Sequence, residues 1–241
     1  MPKKISVLHI LLILYLIFST IHLYCCYYKI NELRKFTKVF LMPLLGIIYY
    51  IGTPNTQFSK NVLTGIFFGS LGDILLLVDD PFSPLIVPGI FSFFIGHVLY
   101  VVSFLRETGY HNYKKYFFVF LLLCGVFFYG ETFAFKYLKD GFAKRDVMVP
   151  GVSYLTLLAV LNITSGFYSF TYFNVYSLLT FIGSFIFFVS DFILVRKMFY
   201  EDNKYYQVSL MTTYILAQSL ICFGMSNKKN RIGNEKKEKT Y

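Results

Sequence analysis

The stretch Gly69-Ser70-Leu71-Gly72-Asp73-Ile74-Leu75-Leu76-Leu77 places a carboxyl group inside an apolar run of roughly 19 residues, which is long enough to cross a bilayer as a helix. A second stretch, Phe188-Val189-Ser190-Asp191-Phe192-Ile193-Leu194, repeats this arrangement in a later apolar run. An ionisable group at that depth costs several kcal/mol unless it is paired, protonated or hydrated. The sequence therefore predicts a membrane scaffold that brings two functional aspartates, Asp73 and Asp191, together.

The composition indicates an integral membrane protein. Of the 241 residues, 56% are hydrophobic and 15% are charged, and the mean hydropathy is +0.57. Soluble domains carry about 25% charged residues. The net charge of +10 comes from Lys and Arg in short connections and at the C-terminal end, without a basic stripe that contains interleaved aromatic residues, so nucleic-acid binding is not expected.

Eight apolar segments, each near the length of a membrane span, predict an all-α polytopic bundle in residues 1–226 and a basic disordered tail in residues 227–241. The segments cover roughly 5–27, 36–52, 60–78, 85–105, 114–130, 147–166, 174–195 and 205–225. The first is expected to be a retained span, because it is too long for a signal peptide and no cleavage site follows. Residues 131–146 are expected to continue the fifth helix or to form a surface helix.

The charges do not orient the bundle, because the 23 Lys and Arg residues divide almost equally between its two faces. The basic tail favours a cytosolic location for both termini. The last five residues, Lys237-Glu238-Lys239-Thr240-Tyr241, then match the K-x-K-x-x dilysine pattern. This pattern predicts a location in the endoplasmic reticulum membrane.

Two matched pairs suggest that the chain consists of two parallel four-helix repeats. Pro43 in the second segment resembles Pro150 in the sixth, and Asp73 in the third resembles Asp191 in the seventh. Each pair lies four helices apart, so the two halves run in the same direction. The third and seventh helices then start from the same face, which lets their aspartates share one site.

The two aspartates are the only acidic residues well inside the predicted spans, and they have two interpretations. They can be structural groups that form hydrogen bonds between helices. They can instead form an acid/base couple, because an apolar environment favours a neutral carboxyl group while a neighbouring carboxylate stays ionised. Gly69 and Gly72 would let a helix or a substrate approach Asp73, and Gly183 and Ser184 would do the same for the seventh helix. Small residues in membrane helices can also serve helix packing alone.

Five further residues are candidates to support such a site. His97 and Tyr100 share one face of the fourth helix, and Tyr154 and Gln218 lie within the sixth and eighth. Each of these four can orient a carboxylate, a water or a substrate, or can only bond to a neighbouring helix. Lys38, at the start of the second helix, can meet a phosphate as a point charge, or can extend to the interface without a ligand.

The residue patterns that several other chemistries require do not occur in the sequence. The four cysteines show no metal spacing, and no set of three zinc ligands is present. Neither a G-x-S-x-G elbow nor a phosphate-cradling glycine loop occurs. The sequence therefore predicts no metal and no cofactor, and leaves carboxylate chemistry or a proton or ion relay.

Five motifs occur in a characteristic order, namely Thr37-Lys38 with Pro43, Gly72-Asp73-Ile74-Leu75-Leu76, Phe94-Ile95-Gly96-His97-Val98-Leu99-Tyr100, Val189-Ser190-Asp191 and Tyr214-Ile215-Leu216-Ala217-Gln218. Together they resemble the YhhN-like lysoplasmalogenases, a family of small multi-span membrane hydrolases, over nearly the whole chain. The resemblance implies hydrolysis of the 1-alkenyl (vinyl) ether bond of lysoplasmalogens. The products would be a fatty aldehyde and glycerophosphocholine or glycerophosphoethanolamine, and no cofactor would be needed.

A carboxyl pair suits this reaction, because a vinyl ether hydrolyses by protonation at carbon and water then traps the oxocarbenium ion. One aspartate would be the acid, and the other would stabilise the cation and take a proton from water. We expect Asp73 to be the acid and Asp191 the base, although the sequence does not distinguish the two. The expected partners are the lipid substrate and the bilayer, and the oligomeric state is left open.

Two alternatives from other classes remain. One is a proton-coupled lipid or small-molecule transporter that uses the aspartates as a relay. Few Gly or Pro interruptions, and the lack of a cationic partner for the acids within the spans, argue against it. The other is a structural membrane subunit, whose aspartates would tolerate substitution.

Overall fold

The computed structural model describes residues 2–77, 83–144, 146–200 and 204–226, which form eight α-helices and no strand. This confirms the predicted all-α bundle. The predicted tail, residues 227–241, and its dilysine pattern lie outside the described residues. The helices are α1 (Pro2–Tyr28), α2 (Asn31–Gly52), α3 (Gln57–Leu75), α4 (Ile86–Lys115), α5 (Phe117–Lys144), α6 (Met148–Thr171), α7 (Val175–Phe199) and α8 (Lys204–Met225).

Seven of the described helices are long and apolar enough to cross a membrane, as expected for an integral multi-pass protein. The exception is α3, which the sequence analysis counted as an eighth span. Its polar side chains can be accommodated because α3 packs between α2 and α4 and directs them into the bundle. The buried polar side chains of α3 are Ser59, Asn61, Ser70 and Asp73.

Several helices extend beyond their predicted apolar segments. Helix α2 already begins at Asn31, α4 continues to Lys115, and α5 continues to Lys144, which confirms one of the two expectations for residues 131–146. Apolar run length misses these ends because helices continue into polar residues outside the membrane. Within α4, Gly109 has φ +71° and interrupts the helical geometry, a backbone conformation that glycine adopts readily.

The helix contacts have the pattern that two parallel repeats would produce. The contacts α1–α2, α2–α3 and α3–α4 in the first half match α5–α6, α6–α7 and α7–α8 in the second, and α4–α6 matches α8–α2. The two prolines are not in equivalent places, however. Pro43 lies in the middle of α2, whereas Pro150 lies in the first turn of α6. The aspartates, rather than the prolines, therefore mark the correspondence between the halves.

Close helix crossings hold the two helices that carry the aspartates. A Cβ atom on Gly96 of α4 would lie 2.9 Å from the carbonyl oxygen of Gly65 in α3. A Cβ atom on Gly183 of α7 would likewise lie 2.9 Å from the carbonyl oxygen of Ala217 in α8. Only glycine permits such backbone approach, which is a common device in membrane helix packing. These crossings set the rotation of α3 and α7 against their partners.

Candidate active site

The two aspartates lie at the same end of the bundle and line one cavity. Asp73 is in the last turn of α3, and Asp191 is about two turns before the end of α7. Both residues are buried, with whole-residue exposures of 3% and 6%. The cavity has a volume of about 70 Å³, which is room for a few waters. It is lined by Arg34, Lys38, Asp73, Leu76, Phe93, Asp191, Leu194, Lys197, Met198, Gln207, Leu210, Met211 and Tyr214.

Asp73 has a cation and a hydroxyl donor as partners. Lys38 Nζ of α2 lies 3.3 Å from Asp73 Oδ1. The hydroxyl group of Tyr214 in α8 donates a hydrogen bond of 2.6 Å to Asp73 Oδ2. Both carboxylate oxygens are thus occupied by donors that favour the ionised form.

Asp191 has a hydroxyl donor but no cation. The hydroxyl group of Tyr154 in α6 donates a hydrogen bond of 2.6 Å to Asp191 Oδ2. In the part of the chain that the structure describes, no Lys or Arg forms an ion pair with Asp191. The two carboxyl groups line the same cavity, where the charge of one affects the ionisation of the other. They therefore share a cavity but have different electrostatic surroundings.

The position of Lys38 is supported from the neighbouring helix. His22 Nδ1 of α1 and the hydroxyl group of Thr37 are 2.8 Å apart and form a hydrogen bond. The Thr37 hydroxyl group also bonds to the backbone carbonyl of Leu33, one turn earlier in α2. These contacts join the first turns of α2 to α1, next to the lysine that faces Asp73.

His97 lies close to the site but makes no contact with either carboxyl group. Its side chain is 2% exposed, and its Nδ1 has no hydrogen-bond partner among the described residues. The imidazole packs edge-on against Phe187, with ring centroids 4.6 Å apart, and lies 5.7 Å from the ring of Tyr154. His97 is therefore connected to the site through Tyr154, whose hydroxyl group donates a hydrogen bond to Asp191.

Tyr100 and Gln218 bond to each other rather than to the aspartates. The Tyr100 hydroxyl group donates to Gln218 Oε1 over 3.5 Å, and neither residue lines the aspartate cavity. This placement corresponds to the structural interpretation of the pair. Of the five supporting candidates, only Lys38 and Tyr154 contact the carboxyl groups.

Four polar residues that line the cavity are not among the site candidates from the sequence. Tyr214 lies one turn before Gln218 on the same face of α8, so this face was the available signal. Arg34 lies one turn before Lys38 and also faces the cavity. Lys197, near the end of α7, and Gln207, near the start of α8, complete the polar lining. No spacing rule identifies these last two, because they are brought in by helix ends from different parts of the chain.

A larger cavity of about 390 Å³ lies at the opposite end of α2 and α3. Its lining includes Tyr49, Ser59 and Lys60 but no carboxyl group. This lining therefore has no carboxyl group that could act as an acid or a base, although the cavity is larger. Among the residues that the structure describes, no three His, Cys, Asp or Glu side chains lie close enough to hold a metal ion. The aspartate cavity is thus the site at which the structure concentrates reactive groups.

Comparison with known proteins gives one result. A model of the YhhN family matches residues 33–225. Neither the curated proteins nor the solved structures include a significant match. The matched range contains both aspartates and the three residues that contact them, which are Lys38, Tyr154 and Tyr214. Because the match extends over most of the chain, the protein belongs to the YhhN family.

Proposed function

We propose that this protein is a lysoplasmalogenase, which hydrolyses the vinyl ether bond of 1-alkenyl-glycerophosphocholine or -ethanolamine to a fatty aldehyde and the glycerophospho headgroup. The observation that carries the proposal is a pair of buried carboxyl groups in one cavity, only one of which has a cation as partner among the described residues. Membership of the YhhN family is consistent with a hydrolase. The different surroundings of the two carboxyl groups support a different role for each.

We propose the two roles in the reverse order to the expectation from sequence, and the Lys38–Asp73 ion pair supports this order. Lys38 compensates the charge of Asp73, which therefore acts as the ionised base. Among the described residues, Asp191 has only the Tyr154 hydroxyl group as hydrogen-bond partner, so its neutral form is the less costly one in this apolar site. We therefore assign Asp191 as the acid, with Tyr154 holding its other oxygen in place.

In the first step, Asp191 transfers its proton to the alkenyl carbon that is β to the ether oxygen. The electron pair of the double bond forms the new C–H bond, which leaves an oxocarbenium ion on the substrate and a carboxylate on Asp191. Proton transfer to carbon is the difficult step of vinyl ether hydrolysis, and a positioned acid accelerates such steps. Two carboxylates next to the cation then stabilise its charge.

In the second step, a water adds to the oxocarbenium carbon and gives one proton to Asp73. The resulting hemiacetal then collapses. Asp73 returns its proton to the glycerol oxygen as the C–O bond breaks, and the hemiacetal hydroxyl group gives its proton to Asp191. One water is consumed, both aspartates regain their initial states, and the products are the aldehyde and the free glycerol hydroxyl group.

The remaining polar lining suits the headgroup of this substrate. Arg34, Lys38 and Lys197 place three cationic side chains around the cavity. A phosphate diester is an anion for which Arg and Lys are the usual ligands in proteins. The same cations would attract an anionic headgroup to this end of the bundle.

The test is aldehyde release from a choline or ethanolamine lysoplasmalogen by the detergent-purified protein. Asp73→Asn and Asp191→Asn should each reduce turnover by about 1,000-fold, since each removes one proton-transfer group. Asp140→Asn changes an exposed carboxylate on α5 and serves as the matched control, with unchanged turnover. Absence of aldehyde from folded wild-type protein would refute the proposal, and full activity in both site variants would refute the two roles.

One observation favours the transporter alternative more than the sequence did. The lack of a cationic partner within the spans was an argument against a relay, and the Lys38–Asp73 ion pair removes that argument. A proton-coupled transporter would release no aldehyde. It would instead show uptake into proteoliposomes that depends on a proton gradient, and this uptake would be lost in Asp73→Asn.

A further inference from the structure

A narrow apolar crevice adjoins the aspartate cavity on the side of Asp191. It has a volume of about 40 Å³ and is bounded by residues of α4, α5, α6 and α7, and by Leu76 after the end of α3. Apart from Tyr154 and Asp191, every lining residue is apolar, with Ile90, Val147 and Leu155 as examples. The crevice therefore offers no polar partner for a ligand except at its Asp191 end.

The crevice and the aspartate cavity meet at one wall. Leu76, Asp191, Leu194 and Met198 line both of them. Asp73 and the three cationic side chains line only the polar cavity. Asp191 thus stands at the boundary between a polar compartment and a compartment lined by hydrocarbon.

We infer that this crevice is the subsite for the alkenyl chain, and that it receives the vinyl ether and the first carbons of the chain while the glycerophosphate group occupies the polar cavity. The inference rests on the proposed function. A lysoplasmalogen changes from polar to apolar at its ether oxygen. The carbon that accepts the proton lies on the chain side of that oxygen, and of the two aspartates only Asp191 lines that side.

This placement agrees with the roles assigned from the ion pair, although it comes from a different observation. The acid must reach a carbon of the chain, and Asp191 lines the crevice. The base must reach the water, and Asp73 lines the polar cavity. The opposite orientation of the lipid would place a phosphate among apolar side chains, which costs several kcal/mol.

Phe142 and Gly151 form a wall of the crevice. A Cβ atom on Gly151 would lie 2.9 Å from the ring of Phe142, so the glycine allows this ring to lie directly on α6. Phe142 itself is 2% exposed and packs within a small apolar cluster that contains Leu138, Val147 and Leu155. Substrate carbons in the crevice would therefore touch α6 and the end of α7.

The first test maps the chain directly. The probe is a saturated 1-O-hexadecyl-lysophosphocholine with a diazirine on an early carbon of the chain, which cannot be hydrolysed because it has no double bond to protonate. After irradiation with the purified protein, labelled peptides are identified by mass spectrometry. We expect labels in residues 147–155 and 191–198. Labels confined to other regions, such as residues 49–63 around the larger cavity, would overturn the inference.

A matched pair of variants tests the crevice by activity. Val195→Phe introduces a benzyl group into the crevice, whereas Val149→Phe adds the same group at a position on α6 that is 77% exposed. We compare kcat/KM for a hexadecenyl substrate with that for an ethenyl substrate, which has no chain beyond the double bond. Val195→Phe should lower this ratio at least tenfold and Val149→Phe should leave it unchanged. Equal ratios in Val195→Phe and wild type would overturn the inference.

The two proposals can fail separately. Labelling of the crevice without aldehyde release would retain the chain subsite and refute the hydrolase. Aldehyde release with labels only elsewhere would retain the hydrolase and refute the subsite. Labelling of the wild type needs no variant, so it decides the question even if Val195→Phe does not fold.

Discussion

Lys38 Nζ lies 3.3 Å from Asp73 Oδ1, at the end of the bundle where α2 begins and α3 ends. The side chains of Lys38 and Asp73 are 14% and 5% exposed, so the ion pair is largely removed from water. Asp191, which lines the same cavity, has no such partner in the described chain. This difference separates two otherwise similar carboxyl groups.

Removing Lys38 alone should destabilise the protein more than removing both partners of the ion pair. Lys38→Met leaves the charge of Asp73 buried without compensation, and we expect a loss of about 2 kcal/mol in unfolding free energy. The double variant Lys38→Met/Asp73→Asn should recover at least half of that loss. Thermal unfolding in detergent of both variants and of Asp73→Asn measures the coupling. Additive effects of the two substitutions would contradict the proposed pairing.

The two tyrosines that bond to the carboxyl groups should both support turnover. Tyr214→Phe and Tyr154→Phe each remove a hydrogen bond of 2.6 Å to an aspartate. A hydrogen bond to a charged group contributes about 1.5–3 kcal/mol. Asp73 is charged from the start and Asp191 becomes charged as it gives up its proton, so we expect kcat to fall about 10- to 100-fold in each variant. Aldehyde release under substrate saturation measures the change.

Tyr100→Phe is the control for these two variants. It removes a buried hydroxyl group that bonds to Gln218 over 3.5 Å and does not face the aspartate cavity. We expect kcat within about threefold of wild type, because the hydrogen bond that is lost is neutral and long. Equal losses in all three variants would indicate a general packing effect rather than support of the carboxyl groups.

Arg34 should contribute to binding of the phosphate and not to the chemical step. We expect Arg34→Gln to raise KM about tenfold with little change in kcat, since a contact made equally in ground and transition states affects only binding. Lys35→Gln is the control, because Lys35 does not line the cavity. With 1-alkenylglycerol, which has no phosphate, Arg34→Gln and wild type should have the same KM. A higher KM for that substrate as well would contradict the assignment.

The two glycines that precede Asp73 should differ in their tolerance of a methyl group. A Cβ atom on Gly72 would lie 2.6 Å from the ring of Phe93, whereas the nearest atom to a Cβ on Gly69 is 3.7 Å away. We therefore expect Gly72→Ala to cost about 1–3 kcal/mol through overpacking, and Gly69→Ala to be close to neutral. Thermal unfolding in detergent compares them. Similar melting temperatures would mean that the Phe93 ring moves without cost.

The sequence predicts the same role for Gly69 and Gly72, but in the structure only Gly72 is too close to a neighbouring side chain to accept a Cβ atom. The spacing of residues along a helix shows which side chains share a face, but it does not show which residues of other helices pack against that face. Phe93 comes from α4, and its position over Gly72 depends on how α3 and α4 cross at Gly65 and Gly96. The same reason explains why Tyr100 and Gln218, both polar and buried, pair with each other and not with an aspartate.

The sequence by itself determined the helical bundle and the two aspartates. In lipid, every backbone polar group must be satisfied within its own segment, so a long apolar run specifies a helix without reference to the rest of the chain. A carboxyl group inside such a run is conspicuous for the same reason, because burial of a charge is costly wherever the helix lies. Both are local properties, so the eight apolar segments and the two aspartates could be identified from the sequence alone.

Only the tertiary structure decided the partners of the aspartates, and through them the proposed roles. Lys38 and Tyr214 come from helices at opposite ends of the chain and meet at Asp73, while Tyr154 reaches Asp191. These contacts depend on the rotation of each helix about its axis and on its position along the bundle. Both are set by side-chain packing between helices that are distant in sequence. An acid and a base of identical residue type differ only through such neighbours, and no local pattern around either aspartate contains them.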